Sequence, residues 1–146
     1  MNENSNIEKN FIIWEDKYNT GYKGIDEQHI ELIGIINDFY SCVENSNSNK
    51  EDIKNVFKRT VDYTIYHFSY EEQLMHNINY NKILDHLSYH REFIQTISEY
   101  INNYENNSLD NIDDVIHYLK NWLLNHILVM DKKFIEDEKD KLEKLI

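Results

Sequence analysis

The fold is decided by residues 53–78, IKNVFKRTVDYTIYHFSYEEQLMHNI. One set of positions in this stretch recurs at alternating spacings of four and three, which is the period of one face of an α-helix. The face is mainly apolar, so it predicts a helix packed against a core, and its histidine and glutamate predict a polar site within that core. It consists of Ile53, Phe57, Thr60, Thr64, His67, Glu71, Leu74 and Ile78.

Three further segments of the chain carry the same helical pattern, one before this stretch and two after it. Each pattern again contains at least one histidine at a position otherwise suited to the core. The stripes are Ile25, His29, Leu32, Ile36, Phe39 and Val43 in the first segment; Ile83, His86, His90, Phe93, Ile97, Tyr100 and Tyr104 in the third; and Ile112, Ile116, Leu119, Leu123, His126 and Met130 in the fourth. The chain also lacks proline, so nothing in it obliges a helix to kink. These features predict an all-α protein.

Asparagine- and serine-rich breaks separate the four segments, at residues 45–49, 77–81 and 102–108. Asn and Ser side chains compete with helical hydrogen bonds, so such clusters favour turns. Short turns between four helices predict an antiparallel up-down-up-down four-helix bundle. We expect one domain over residues 1–146, with an N-terminal arm at 1–20, the bundle at about 21–135, and a charged tail at 136–146 that extends the last helix into solvent.

The bulk composition excludes several classes of protein. A net charge of −12 without a cluster of lysine and arginine argues against nucleic-acid binding. The single cysteine, Cys42, excludes a disulfide framework and a cysteine-rich zinc or iron–sulfur site within the chain. The sequence shows no signal peptide and no apolar run of about 20 residues, the length of a membrane span. We therefore expect a soluble cytoplasmic protein with no membrane partner.

Five histidines and one glutamate occupy stripe positions that otherwise carry large apolar residues. Burying each one without a partner would cost roughly 1–3 kcal/mol, a sum that a marginally stable domain cannot carry. A shared metal centre satisfies all of them together. Asp131 lies five residues after His126, an offset of roughly 140° around an α-helix, so we expect it at the edge of the core face. In an alternating bundle the seven candidates lie at one end: His29, His67, Glu71, His86, His90, His126 and Asp131.

The remaining histidines and the donor types narrow this hypothesis. His76 and His117 are each nine residues from a stripe histidine and so fall on the opposite, exposed faces of their helices. A zinc site uses three or four protein ligands, and calcium and magnesium prefer oxygen throughout. Imidazoles with bridging carboxylates suit a pair of iron, manganese or cobalt ions.

The ordered set of candidates resembles the hemerythrins, and more narrowly the single-domain bacteriohemerythrins. The likeness covers roughly residues 11–135. One departure is Asn81, where relatives often have proline after the tyrosine; it affects a turn and not the candidate site. The matching motifs are Ile25-Asp-Glu-Gln-His29, His67-Phe-Ser-Tyr-Glu71-Glu72, His86-x-x-x-His90, and Trp122-Leu-Leu-Asn-His126 followed by Asp131.

The resemblance implies a non-haem di-iron protein that binds O2 reversibly. Both ions would be Fe²⁺ in the deoxy state and Fe³⁺ in the oxy state, joined by an oxo or hydroxo bridge. By this resemblance, His86, His90 and His126 hold one iron, His29 and His67 hold the other and leave its last position open for O2, and Glu71 and Asp131 bridge the two. Apolar residues near the ligands would wall the O2 pocket: Leu32, Phe68, Met75 and Leu123.

Two other functions stay open at this stage. A di-iron oxidase, or an enzyme that reduces peroxide or nitric oxide, could use a similar site, but ferritin-like oxidases carry Glu-x-x-His motifs, which this sequence lacks. A sensor of redox state, oxygen or iron would need an output domain, and we expect none to be attached. Our first expectation is O2 storage, delivery or scavenging by a monomer that is not an enzyme, with an oxygen-requiring enzyme as a candidate partner.

Overall fold

Four long helices begin and end close to the predicted breaks. In this computed structural model, which describes residues 11–107 and 111–145, they are α1 (Lys23–Glu44), α2 (Lys50–Asn77), α3 (Ile83–Glu105) and α4 (Ile112–Asn125). Helix α1 contacts α2 and α4, and α3 contacts the same two helices, so the four close a ring in chain order. No strand occurs in the described part of the chain. The predicted four-helix bundle is confirmed, and every residue of the four stripes is buried or half-buried.

Asparagines shape the turns between the helices. The Asn49 side chain accepts a hydrogen bond from the Asp52 backbone N–H, and the Asp52 side chain accepts one from the Asn49 backbone N–H, which is a capping box. Asn111 caps α4 by accepting from the backbone N–H of Asp113. Asn79 and Asn107 take positive φ angles of 54° and 58°, which asparagine tolerates better than most residues. The predicted turn chemistry is therefore present.

The third break begins later than predicted. Helix α3 continues to Glu105, whereas the prediction placed the turn from Asn102 onwards. Asn102 and the residue after it are exposed on the helix surface, where asparagine costs only a few tenths of a kcal/mol to about 0.7 kcal/mol of helix propensity. Ser108, at the end of the predicted break, lies outside the described residues.

The described part of the N-terminal arm is fixed to α1. The Ile12 backbone N–H donates to Oδ1 of Asn37 at 2.8 Å, and Nδ2 of Asn37 donates back to the Ile12 carbonyl at 2.9 Å. The Phe11 ring stacks on Tyr40 at a centroid distance of 4.3 Å. Ile12 and Tyr18 are buried in the core, so residues 11–20 cover one side of the bundle. Residues 1–10 of the predicted arm lie outside the described part of the chain.

The apolar interior is divided into two clusters with a polar layer between them. The main cluster fills the body of the bundle and contains Ile12, Tyr18, Leu32, Ile33, Ile36, Phe39, Phe57, Phe68, Phe93, Ile97, Val115, Ile116, Leu119, Leu123 and Ile127. The end cluster lies at one end and contains Ile25, Leu74, Met75, Ile78, Tyr80, Phe134, Ile135 and Leu142. On α1, His29 lies between Ile25 of the end cluster and Leu32 of the main cluster; on α2, Glu71 lies between Phe68 of the main cluster and Leu74 of the end cluster.

The last helical part of the chain is divided into short helices, and its end contacts the end cluster. After α4 come a π-helical turn (His126–Asp131), α5 (Lys132–Asp137) and, beyond a bend at Glu138, α6 (Lys139–Glu143). Leu142 is buried in the end cluster, and Nζ of Lys141 donates to the Ile78 carbonyl at 3.3 Å. The described part of the tail is therefore helical and largely exposed, but it bends at Glu138 and is anchored through Leu142. None of the helices in the described residues has the length and apolarity needed to cross a membrane.

Candidate metal centre

Side chains from α1, α2 and α3 and from the π-helical turn that follows α4 converge in the polar layer. All seven candidate ligands are at most 2% exposed. Their ligand atoms form two overlapping groups, each with every atom within 4.8 Å of the others. The first group is His29, His67, Glu71, His126 and Asp131; the second is Glu71, His86, His90 and His126. The structure thus brings together every residue that the sequence singled out as a candidate ligand.

Helical spacing explains most of this convergence. Residues four apart on an α-helix project from the same face on successive turns. On α2 this places Nε2 of His67 3.3 Å from Oε1 of Glu71, and on α3 it places the rings of His86 and His90 4.7 Å apart.

Asp131 reaches the centre by a different route. The helix changes to π geometry between His126 and Asp131, and its wider turn, with i→i+5 hydrogen bonds, brings residues five apart onto nearly the same face. Nε2 of His126 lies 2.8 Å from Oδ2 of Asp131, and Asp131 is fully buried. The predicted position at the edge of the core is therefore wrong, because it assumed an uninterrupted α-helix.

Each carboxylate contacts histidines of both groups. Oε1 of Glu71 lies 3.1 Å from Nε2 of His126, 3.2 Å from His90, 3.3 Å from His67 and 3.8 Å from His86. Both Glu71 oxygens are buried, and neither has a hydrogen-bond partner among the described residues. Buried polar atoms that lie close together without hydrogen-bonding to one another fit ligands of a shared metal ion.

Asp131 makes a similar set of contacts with histidines. Its Oδ2 lies 2.7 Å from Nε2 of His29 and 3.3 Å from that of His67, and its Oδ1 lies 3.2 Å from Nε2 of His86. Both carboxylates are thus placed to span two neighbouring ions. The donor set of imidazole and carboxylate fits a pair of transition-metal ions.

Contacts within the layer shift the pKa values of both carboxylates and of two histidines. The charges of His67 and His126 outweigh burial and Asp131 in lowering the pKa of Glu71. The pKa of Asp131 is also well below its usual value, despite burial, because His126 and other nearby donors favour the ionised form. Burial alone would lower the pKa of His126 and His86, but the two carboxylates raise these values to about 10 and about 9. The two carboxylates and these two imidazoles therefore stabilise one another's charged forms.

Metal binding should consequently release protons. A metal ion needs an unprotonated imidazole nitrogen, and His86 and His126, with pKa values of about 9 and about 10, are both protonated at pH 7 in the metal-free protein. We expect two protons per chain to be released when the metal-free protein is saturated with Co²⁺ or Fe²⁺ in weak buffer at pH 7, measured with a pH indicator. The apparent affinity should rise with pH up to about pH 10, above which both imidazoles are already neutral. Release of no proton would show that both imidazoles are neutral in the metal-free protein at pH 7 and would contradict the raised pKa values.

Two side chains behind the centre were not assigned a role from the sequence. Oε1 of Gln28 lies 2.8 Å from Nδ1 of His67, and Oε2 of Glu72 lies 2.9 Å from Nδ1 of His90. Each oxygen accepts the Nδ1–H hydrogen bond and so leaves Nε2 free to bind a metal. A polar residue next to a stripe ligand is the only signal that the sequence gives for such a role.

The predicted pocket residues lie on both sides of the polar layer. Leu32, Phe68 and Leu123 belong to the main cluster and Met75 to the end cluster, and all four are at most 2% exposed. The ring of Phe68 stacks on that of His90 at a centroid distance of 3.7 Å. Their role around O2 stays a prediction.

The two histidines that were predicted to lie on the opposite, exposed helix faces do so. His76 and His117 are both exposed, so the helical phase inferred from the sequence holds for α2 and α4.

Known proteins with similar sequences and folds carry the name hemerythrin. The sequence profile of the hemerythrin HHE cation binding domain matches residues 20–136. A bacteriohemerythrin of Pseudomonas aeruginosa is 30% identical over 135 residues, which cover 92% of this chain and 86% of that protein. A myohemerythrin of Riftia pachyptila is 28% identical over 125 residues, 84% of this chain and 89% of that protein. A solved structure of wild-type hemerythrin matches with a TM-score of 0.79 at 21% identity, over 85% of this chain and 95% of that one, which shows a common fold.

Proposed function

The chain belongs to the hemerythrin family, and we propose that its buried metal centre holds two iron ions and binds O2 reversibly, for storage, delivery or scavenging. The observation that carries the proposal is the donor set, in which five imidazoles face only two carboxylates. Neutral ligands stabilise the ferric state less than anionic ligands do. The set therefore favours an easily restored ferrous state, and with it reversible binding over oxidation of a substrate.

The contacts support a division of the ligands between two ions. When bound, the ion pair supplies the two electrons that O2 takes up and gives back. The short distances from Glu71 and Asp131 to histidines of both groups suit bridging positions. His86, His90 and His126 would hold one ion, and His29 and His67 the other, which keeps an open position; a solvent-derived oxo or hydroxo group would complete the bridge.

The surroundings of the centre keep bulk water away from it. All seven ligands are almost fully buried, and apolar clusters lie on both sides of them. A dry site slows the departure of bound oxygen as a reduced anion. Such a departure needs protons, and it needs water to solvate the anion. We assign this role to Leu32, Phe68, Met75 and Leu123.

The proposal is tested by iron content and visible spectra. The protein should bind about two irons per chain and be colourless when reduced. We expect a colour to appear in air and to bleach when O2 is removed, over repeated cycles. A colour that persists after removal of O2 would contradict reversible binding and favour an oxidase or a redox sensor. Absence of bound iron would reject the di-iron centre itself.

A further inference from the structure

The two histidines with outer hydrogen-bond partners differ in the charge of those partners. His67 donates from Nδ1 to the neutral amide of Gln28 at 2.8 Å, and His90 donates to the carboxylate of Glu72 at 2.9 Å. By contrast, Nδ1 of His29 and of His126 is buried and has no hydrogen-bond partner among the described residues. Among the described residues, only some of the histidine ligands therefore have a hydrogen-bond partner on Nδ1.

The two pairs are otherwise alike. Each accepting oxygen fixes the Nδ1–H tautomer. The Nε2 atoms of His67 and His90 lie 3.3 Å and 3.2 Å from the same Glu71 oxygen. Each partner therefore directs the Nε2 atom of its ring towards the centre, and the two accepting groups differ by one negative charge.

We propose that Gln28 and Glu72 are positioning residues that make the two halves of the metal centre unequal in redox potential. The inference rests on the proposed function, since it assigns His67 and His90 to different ions. An anion on the outer nitrogen of an imidazole increases the electron density on the nitrogen that binds metal. Glu72 thus stabilises the ferric state of the ion held by His90. Gln28 adds no charge, so the ion held by His67, which has the open position, stays easier to keep ferrous.

The surroundings of the two partners set the size of the effects. The Glu72 side chain is 34% exposed, so water screens part of its charge. Gln28 is only 7% exposed, and a carboxylate at that position would be screened less. Exchanging amide and carboxylate should therefore change the potential more at position 28 than at position 72.

The test is an anaerobic redox titration of the iron-loaded full-length chain. We expect Glu72→Gln to raise the midpoint potential and Gln28→Glu to lower it, the latter by at least about a tenfold change in the ferric-to-ferrous ratio, which is about 59 mV for one electron. Both variants keep an oxygen that accepts from Nδ1–H, so both should retain two irons. Glu72→Ala, which removes the acceptor, should instead weaken iron binding by about 10- to 100-fold.

A matched control separates local from general charge effects. Gln73 is exposed and bonds to Asn77 on the outer face of α2, so Gln73→Glu adds a charge one residue away and should leave the potential unchanged. The proposal is overturned if Glu72→Gln shifts the potential no more than this control does, or if both exchanges shift it in the same direction. Should Gln28→Glu fail to load iron, Glu72→Gln alone decides. The titration uses no O2, so loss of reversible O2 binding would refute the proposed function without affecting this result.

Discussion

Glu71→Gln should reduce the iron content from about two ions per chain to one or none. The Glu71 oxygen lies within 3.8 Å of the Nε2 atoms of four histidines, and no other side-chain atom in the described residues has so many of these contacts. The amide is almost the same size but is neutral, and its nitrogen cannot bind a metal. The variant thus removes the bridge and its charge with little change in volume. Iron analysis of the purified protein after anaerobic loading measures the loss.

A second exchange of the same type controls for general effects of charge. Glu99 is exposed on α3, and Glu99→Gln should bind iron as the unchanged protein does. Circular dichroism of the metal-free proteins should show that both variants keep their helices. Two irons bound by Glu71→Gln would reject Glu71 as a bridging ligand.

Phe68→Ala should lower the free energy of unfolding of the metal-free protein by about 3–5 kcal/mol. The Phe68 ring is 2% exposed. It stacks on His90 and meets the edges of Phe93 and Trp122 at 5.8 Å and 5.4 Å. Its removal leaves a cavity that the rigid neighbours cannot close, and the cavity lies against a candidate ligand. Urea unfolding measures the loss of stability, and the rate at which the oxygenated colour is lost measures the effect on the centre.

Phe39 offers a control with the same chemistry at a distance from the ligands. It is fully buried in the main cluster and packs against Phe57 at 5.1 Å. Phe39→Ala should be similarly destabilising and should leave the persistence of the oxygenated colour unchanged, whereas Phe68→Ala should shorten it by admitting water. Equal persistence in the two variants would count against Phe68 as part of the pocket wall.

The bundle and six of its seven buried candidate ligands could be predicted from the helical spacing of apolar residues along the chain. His67 and Glu71 could be placed inside the core because the same helix face carries Phe57 and Leu74, and the apolar partners fix its phase. Buried polar residues are costly, so their presence on four such faces indicated a common site. The chain order of the helices then placed them at one end. None of these steps requires knowledge of side-chain contacts.

Other features of the structure depend on tertiary contacts that helical spacing does not reveal. A π-helical turn changes only a few backbone hydrogen bonds, at little cost. Its position depends on the burial of Asp131 beside His126. Gln28 and Glu72 lie beside the stripes, and their roles depend on which ring nitrogen each one meets. The final segment is rich in charged residues, yet Leu142 on α6 is buried in the end cluster. These features arise from tertiary packing.

The polar layer between the two apolar clusters has a consequence for how the molecule is held together. Few apolar contacts cross a layer made of charged and polar side chains, so we expect the end cluster of the metal-free protein to have lower local stability than the main cluster. Such a unit opens by itself far more often than the whole bundle unfolds, and its opening exposes the ligands to an arriving ion. A filled centre would join α1, α2, α3 and the π-helical turn through shared ligands. We therefore expect metal binding to couple the two apolar clusters into one cooperative unit.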